Sequence, residues 1–151
     1  MIITFAISNY LFLVRKYAAA WLMLAAVFSG IALNELAKLA FARPRPDFVS
    51  PAARVFTSSF PSGHASLSAI TYLTIAALLA RTHSSFKIGR YYISVAALLT
   101  ILIGIRRVYL GVHYPAGVLG GWCIGAAWAV GCWVLVAWLQ RRGQIETSSP
   151  V

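Results

Sequence analysis

The chain has 151 residues, of which 60% are hydrophobic and only 11% are charged. About a quarter of the residues of a soluble domain are usually charged, so this composition excludes an ordinary water-soluble protein and indicates a surface that faces lipid. The net charge of +10 comes from basic residues at the ends of apolar runs, which disfavours nucleic acid and favours anionic lipid or a phosphorylated substrate as the partner.

The apolar runs are continuous rather than alternating, which predicts membrane-spanning helices and not a membrane β-barrel. The first run, residues 2–14, is short for a span, and we expect it to be the end of a truncated first helix. Residues 140–151 form a polar tail. We therefore predict an all-α, polytopic membrane helix bundle of four to five apolar helices in one domain, residues 1–151. The four clear spans run from Tyr17 to Phe41, from His64 to about Ala80, from Tyr91 to about Ile105 and from Ala116 to about Leu139.

The loops between these spans predict the orientation of the protein. A loop with four prolines follows Phe41, and a short polar link runs from Arg81 to Arg90. Alternating spans put seven of the 13 Lys and Arg residues on one side and six on the other. Several of the six have a chemical reason to lie where they do, so the side with seven is predicted to be cytoplasmic. The seven are Arg15, Lys16, Arg81, Lys87, Arg90, Arg141 and Arg142.

Three polar clusters fall on the other, outward side. Lys38 and Arg45-Pro46 close one span, Pro61-Ser62-Gly63-His64 opens the next, and Arg107 and His113 precede the last. Read physically, this is an anion site with two histidines. Lys and Arg surround a phosphoryl group with positive charge, and a helix that starts at Ser62-Gly63 offers free backbone N–H groups. One histidine can attack phosphorus while the other protonates the leaving oxygen.

These residues resemble the type-2 phosphatidic acid phosphatase (PAP2) superfamily, whose pattern is Lys-x6-Arg-Pro, then Pro-Ser-Gly-His, then Ser-Arg-x5-His-x3-Asp. The first two motifs are complete, and the third is present as Arg107 and His113. The resemblance implies that His113 is the nucleophile, that His64 is the general acid, and that no metal or other cofactor takes part. It also implies that the substrate phosphate is bound by Lys38, Arg45, Ser62, Gly63 and Arg107.

Two positions depart from the pattern. Arg106 replaces the Ser before the motif arginine, and Gly117 replaces the Asp that would orient the nucleophilic histidine. Asp47 or Glu35 could substitute for that carboxylate, as could a backbone carbonyl or a water molecule. Gly117 also begins a small-residue stripe with Gly121, Gly125 and Ala129, which allows close helix packing within the monomer or between copies.

The sequence therefore predicts a multi-pass cell-membrane enzyme that hydrolyses a lipid phosphate monoester or diphosphate through a phosphohistidine, with its active site on the outer face. Phosphatidic acid, phosphatidylglycerol phosphate and a polyprenyl diphosphate all fit. An impaired relative that only binds anionic lipid phosphate is the alternative, because of Gly117. A lipid phosphotransferase is a third hypothesis, and the oligomeric state is open.

Overall fold

The computed structural model describes residues 2–41, 60–81 and 85–142. This part of the chain is built from five α-helices. They are α1 (Ile2–Leu13), α2 (Tyr17–Phe41), α3 (Gly63–Ala80), α4 (Phe86–Tyr109) and α5 (Pro115–Arg141). Within the described residues, four helices, α2 to α5, are long and apolar enough to cross a membrane, and α1 is a shorter apolar helix.

Helix α3 lies at the centre of the bundle and packs against α2, α4 and α5, whereas α1 packs against α2. The buried core joins Met23 and Val27 of α2 to Ile70 of α3, and the half-buried Trp128 of α5 covers it. Many large apolar side chains on the outside of the bundle are exposed. Such a surface suits a lipid environment because hydrocarbon chains replace water around it.

Small residues bring α5 close to α3. A Cβ atom on Gly121 would lie 2.7 Å from the Ser62 carbonyl oxygen, and one on Gly125 would overlap the Ser66 carbonyl oxygen. Side chains at these positions would force the two helices apart. Gly121 and Gly125 of the predicted stripe therefore pack within the monomer, against α3.

Two tryptophans tie neighbouring helices together through their indole N–H groups. Trp122 of α5 donates a hydrogen bond to the Thr100 carbonyl of α4 at 3.2 Å. Trp128 donates to the Ala26 carbonyl of α2 at 3.1 Å. A hydrogen bond between helices is valuable in a bundle whose surroundings offer few other partners.

Helix α4 differs from its predicted bounds. It begins at Phe86 and ends at Tyr109, so the second half of the predicted polar link and the start of the predicted loop are helical. The apolar run was used to set the bounds, but a helix can continue beyond the hydrocarbon layer with charged side chains on its ends. Arg107 accordingly lies in the last turn of α4 and not in a loop, which corrects its predicted position.

Alternating helix directions place four helix ends together: the end of α2, the start of α3, the end of α4 and the start of α5. We call this the site end of the bundle. The rings of Phe41 and Phe60 meet here with centroids 4.9 Å apart, and Phe60 also packs over Gly120 of α5. The three motif clusters predicted to share one face are all carried by this end, insofar as their residues are described.

Candidate active site

Lys38 lies in the last turn of α2 and points toward the start of α3. Its side chain is only 15% exposed, and its Nζ lies 2.6 Å from Glu35 Oε1. The same Nζ lies 3.5 Å from the position that a Cβ on Gly63 would occupy. The cation therefore lies beside the opening residue of α3, where a bound anion would meet it. The ion pair with Glu35 was expected from their spacing on one helix face.

Ser62 and Gly63 form the start of α3. Ser62 has the extended backbone of an N-cap residue, yet its side chain makes no capping hydrogen bond. Its Oγ is buried and finds no hydrogen-bond partner among the described residues. The first N–H groups of a helix have no intrahelical acceptor, and the helix dipole makes this end attractive to anions. The motif thus offers a hydroxyl and several backbone donors in one place.

A backbone hydrogen bond joins the second motif to the third. The Ser62 N–H donates to the Gly117 carbonyl at 2.9 Å. Because Gly117 lies in the first turn of α5 and His113 precedes that helix, this bond fixes the start of α3 relative to the connection between α4 and α5 that carries His113. Ser62 and Gly117, more than 50 positions apart in the chain, are thus joined through backbone groups alone.

The short connection between α4 and α5 carries the predicted nucleophile. Gly111 has a positive φ of 66°, a left-handed conformation that glycine adopts without steric cost. The chain reverses there, and Pro115 starts α5 at a position where its missing N–H costs nothing. His113, between these two, is 5% exposed. Burial suits a nucleophile that must be held in one orientation.

The two histidines differ in exposure. His64 is the second residue of α3 and is exposed, whereas His113 is buried. Arg107 is half-buried at the end of α4. The structure thus brings six of the seven predicted site residues to the site end of the bundle. The seventh, Arg45, lies outside the described residues, as does Asp47, one of the two carboxylates considered as a substitute.

Gly117 provides no carboxylate, and Glu35 does not replace it within the described structure. Glu35 is 56% exposed and paired with Lys38, so its charge is already directed at the Lys38 ammonium group. The described residues contain no group of three or more His, Cys, Asp or Glu side chains that could hold a metal ion. The groups that the described site offers to a ligand are cations, imidazoles, hydroxyls and backbone N–H groups.

Sequence reasoning missed Asn34, which lies one helical turn before Lys38. It is 1% exposed, and its Nδ2 lies 3.2 Å from the position of a Cβ on Gly63. A lone amide in an apolar helix is a signal in its own right, because polar side chains inside a membrane are costly and often functional. That signal was available from the sequence.

A family model for the PAP2 superfamily matches residues 19–141, which include every predicted site residue. The chain belongs to the PAP2 superfamily. Among its relatives, a phosphatidylglycerophosphatase B of Bacillus subtilis (strain 168) is 38% identical over 117 residues, covering 76% of this chain and 57% of that protein. The fold and family predicted from the sequence are confirmed.

Other PAP2 relatives carry different names. A lipid A 1-phosphatase of Rhizobium johnstonii is 33% identical over 120 residues, covering 74% of this chain and 45% of that protein. An undecaprenyl-diphosphatase of Sulfolobus acidocaldarius is 29% identical over 127 residues, covering 80% of this chain and 52% of that protein. All three relatives are named as phosphatases of lipid phosphates. The chain spans about half the length of these relatives.

A solved PAP2 structure has the same fold. The crystal structure of a transmembrane PAP2-type phosphatidylglycerolphosphate phosphatase from Bacillus subtilis matches with a TM-score of 0.82 and 33% sequence identity. The match covers 92% of this chain and 69% of that one. Together with the four long apolar helices, this identifies a multi-pass membrane protein of the PAP2 type.

Proposed function

We propose that this protein hydrolyses a phosphate monoester or diphosphate on a lipid, without a metal, through a phosphohistidine at His113. One observation carries the proposal: Lys38, the α3 start and the His113 loop meet at one end of the bundle. The link between Ser62 N–H and the Gly117 carbonyl, 2.9 Å long, supports a single site built from all three. The names of its PAP2 relatives agree with this chemistry.

In the first step, a ring nitrogen of His113 attacks phosphorus and forms a P–N bond while the bond to the lipid oxygen breaks. His64 gives its proton to that departing oxygen, so the lipid leaves as an alcohol, or as a monophosphate if the substrate is a diphosphate. Lys38, Arg107 and the N–H groups at Gly63 stabilise the charge on the three remaining phosphoryl oxygens. The exposure of His64 suits a group that must reach the leaving side of a bound lipid.

In the second step, water attacks phosphorus and the P–N bond breaks. His64, now neutral, takes a proton from the water, and inorganic phosphate leaves with the imidazole of His113 restored. The same cations hold the phosphoryl group in both steps. Among the protein's side chains, only His64 needs to lose and regain a proton.

The substrate class follows from what surrounds the site. Phe41, Tyr109 and Leu110 lie at the same end of the bundle, and their side chains are 61%, 89% and 49% exposed. Exposed aromatic and apolar side chains of this kind are common at the membrane–water interface, where the acyl or prenyl chain of a lipid leaves the hydrocarbon layer. A phosphate attached to an apolar tail reaches this site more readily than a soluble sugar phosphate does.

The orientation is part of the proposal. Within the described residues, the opposite end of the bundle carries the basic groups Arg15, Lys16, Arg81, Lys87, Arg90, Arg141 and Arg142. By the positive-inside rule this end faces the cytoplasm. The site would then act on lipids of the outer leaflet.

Gly117 favours one alternative, a protein that binds lipid phosphate without efficient turnover. The position is buried and has no side chain, so it cannot orient the imidazole of His113 as a carboxylate would. In the serine-protease triad, loss of the corresponding carboxylate function lowers kcat by about 10⁴-fold. A comparable loss here would leave the phosphate-binding residues intact but would make hydrolysis slow.

Phosphate release in detergent from phosphatidic acid and from a polyprenyl diphosphate tests the proposal. We expect turnover by the wild-type chain and none by His113→Ala. Turnover that appears only in Gly117→Asp would instead support the alternative, a protein that binds lipid phosphate but lacks efficient turnover. No release by the wild type or by Gly117→Asp, with both proteins folded, would contradict hydrolysis by this chain.

A further inference from the structure

Asn34 is a buried amide in an otherwise apolar part of α2. Its side chain is 1% exposed, and its Oδ1 finds no hydrogen-bond partner among the described residues. A buried amide without a partner is costly, and most such groups in folded proteins are satisfied. Because Oδ1 is an acceptor, it is not itself a contact for an anion, but its lack of a partner shows that no hydrogen bond through this oxygen holds the amide in place.

The amide faces the start of α3. Its Nδ2 lies 3.2 Å from the position of a Cβ on Gly63, and Lys38 Nζ lies 3.5 Å from the same point. The two nitrogens are thus separated by no more than the sum of these distances. Asn34 and Lys38 are four residues apart and share one face of α2. Both present N–H donors to the space beside Gly63.

Packing between helices does not account for this amide. Polar side chains in membrane bundles commonly hydrogen-bond across a helix interface, but Asn34 makes no such bond to a described residue, although it contacts the α3 start. The Ser62 Oγ nearby is likewise buried and without a described partner. Two groups that can donate to an anion, the Ser62 hydroxyl and the Asn34 Nδ2, thus lie next to the first N–H groups of an 18-residue helix, where an anion is favoured.

We propose that Asn34 is a further phosphate-binding residue, whose Nδ2 donates a hydrogen bond to a phosphoryl oxygen held at the start of α3. The inference rests on the proposed function and adds a neutral donor to the cations of that site. The recognised group is the phosphoryl group itself, whether it is carried by a lipid or free. Because the Asn34 amide is neutral, it can strengthen phosphate binding without attracting a counter-ion to the empty site.

The test compares Asn34→Leu, which keeps the volume and removes the donor, with Asn34→Asp, which keeps the shape and adds a negative charge. Thr100→Val is the matched control, because the Thr100 hydroxyl is also buried and unpartnered but lies mid-way along α4. The full chain is purified in detergent. Two quantities are measured: the KM for phosphatidic acid, and the Kd for inorganic phosphate from the phosphate-dependent rise in unfolding temperature.

We expect Asn34→Leu to raise both constants by about 10- to 100-fold, the range for a hydrogen bond to a charged group. Asn34→Asp should raise them further, and Thr100→Val should change neither. If Asn34→Leu does not accumulate as folded protein, Asn34→Ser, whose hydroxyl is too short to reach, is expected to show the same loss.

The inference is overturned if a folded Asn34 variant keeps both constants within about twofold of the wild type. It is also overturned if KM rises while the Kd for inorganic phosphate does not, because Asn34 would then recognise another part of the lipid. A wild-type chain that neither binds phosphate nor turns over phosphatidic acid would contradict the proposed function itself, which is a different result.

Discussion

At the scale of single residues, Lys38 lies between two neighbours, the Glu35 carboxylate and the start of α3. It is paired with Glu35 at 2.6 Å, and it lies beside Gly63, where the proposed phosphate binds. Glu35 is exposed, so water screens its charge and the pair adds little to stability. The carboxylate can keep the cation in position when the site is empty and release it to a phosphoryl group that carries more charge.

This arrangement predicts different outcomes for the two partners of the pair. Lys38→Met should lower kcat/KM for phosphatidic acid by about 10²-fold or more, because a positioned donor to the transition-state charge is lost. Glu35→Gln should leave kcat/KM within about threefold of the wild type, because an exposed partner contributes little. Steady-state phosphate release measures both. Equal losses in the two variants would mean that the ion pair, and not the cation, matters.

The sequence was sufficient to predict which described motif residues lie together at the site end, and their roles in binding and catalysis stay predictions. The shared location could be predicted because all of these residues belong to motifs of fixed spacing at helix ends: Lys38, Ser62, Gly63, His64, Arg107 and His113. Asn34 belongs to no motif, and its burial depends on how α3 approaches α2, which no local pattern specifies. The pairing of the Ser62 N–H with the Gly117 carbonyl is likewise a backbone contact between distant segments.

At the scale of helices, the contact between α3 and α5 depends on missing side chains. A Cβ on Gly125 would overlap the Ser66 carbonyl oxygen, which is backbone and cannot turn aside. Gly131 lies further along the same helix, and a Cβ there would meet nothing within 4 Å. The two glycines therefore form a matched pair for a test of packing.

Gly125→Ala should lower the free energy of unfolding by about 1–3 kcal/mol, as overpacking of a tight contact usually does. Gly131→Ala should be neutral or should stabilise by up to about 1 kcal/mol, because alanine favours a helix more than glycine does. Unfolding midpoints in one detergent compare the variants. If both substitutions had the same effect, the close contact with α3 would not be a source of stability.

Apolar length alone predicted most of the helices. Helix α2 matches its predicted bounds from Tyr17 to Phe41, and α3 and α5 each begin one residue before the predicted start. Helix α4 was too short in the prediction, because Lys87, Arg90, Arg106 and Arg107 were taken to mark its ends. A membrane helix ends where its backbone hydrogen bonds end. Its last turns can lie outside the apolar layer, because long basic side chains there reach water.

At the scale of the whole molecule, the bundle has two chemically different ends. The site end carries the predicted phosphate-binding groups and Arg106, and the opposite end carries the other basic residues of the described chain. If the positive-inside rule holds, the site end faces outward. This orientation decides which leaflet can supply substrate.

Cysteine labelling on intact cells tests the orientation. In a chain with Cys123→Ala and Cys132→Ala, Tyr109→Cys at the site end should react with a membrane-impermeant maleimide. Ser85→Cys at the opposite end should react only after lysis. Both positions are exposed, so accessibility in the folded protein does not differ between them. The reverse labelling pattern would place the site on the cytoplasmic side.

The most direct test of the central claim is to trap the phosphoryl group on the protein during turnover of phosphatidic acid labelled in its phosphate. We expect the wild-type chain to acquire a label that is stable to base and labile to acid, as a phosphohistidine is, and His113→Ala to acquire none. Turnover without such a label, or a label that persists in His113→Ala, would contradict the assignment of His113 as the nucleophile.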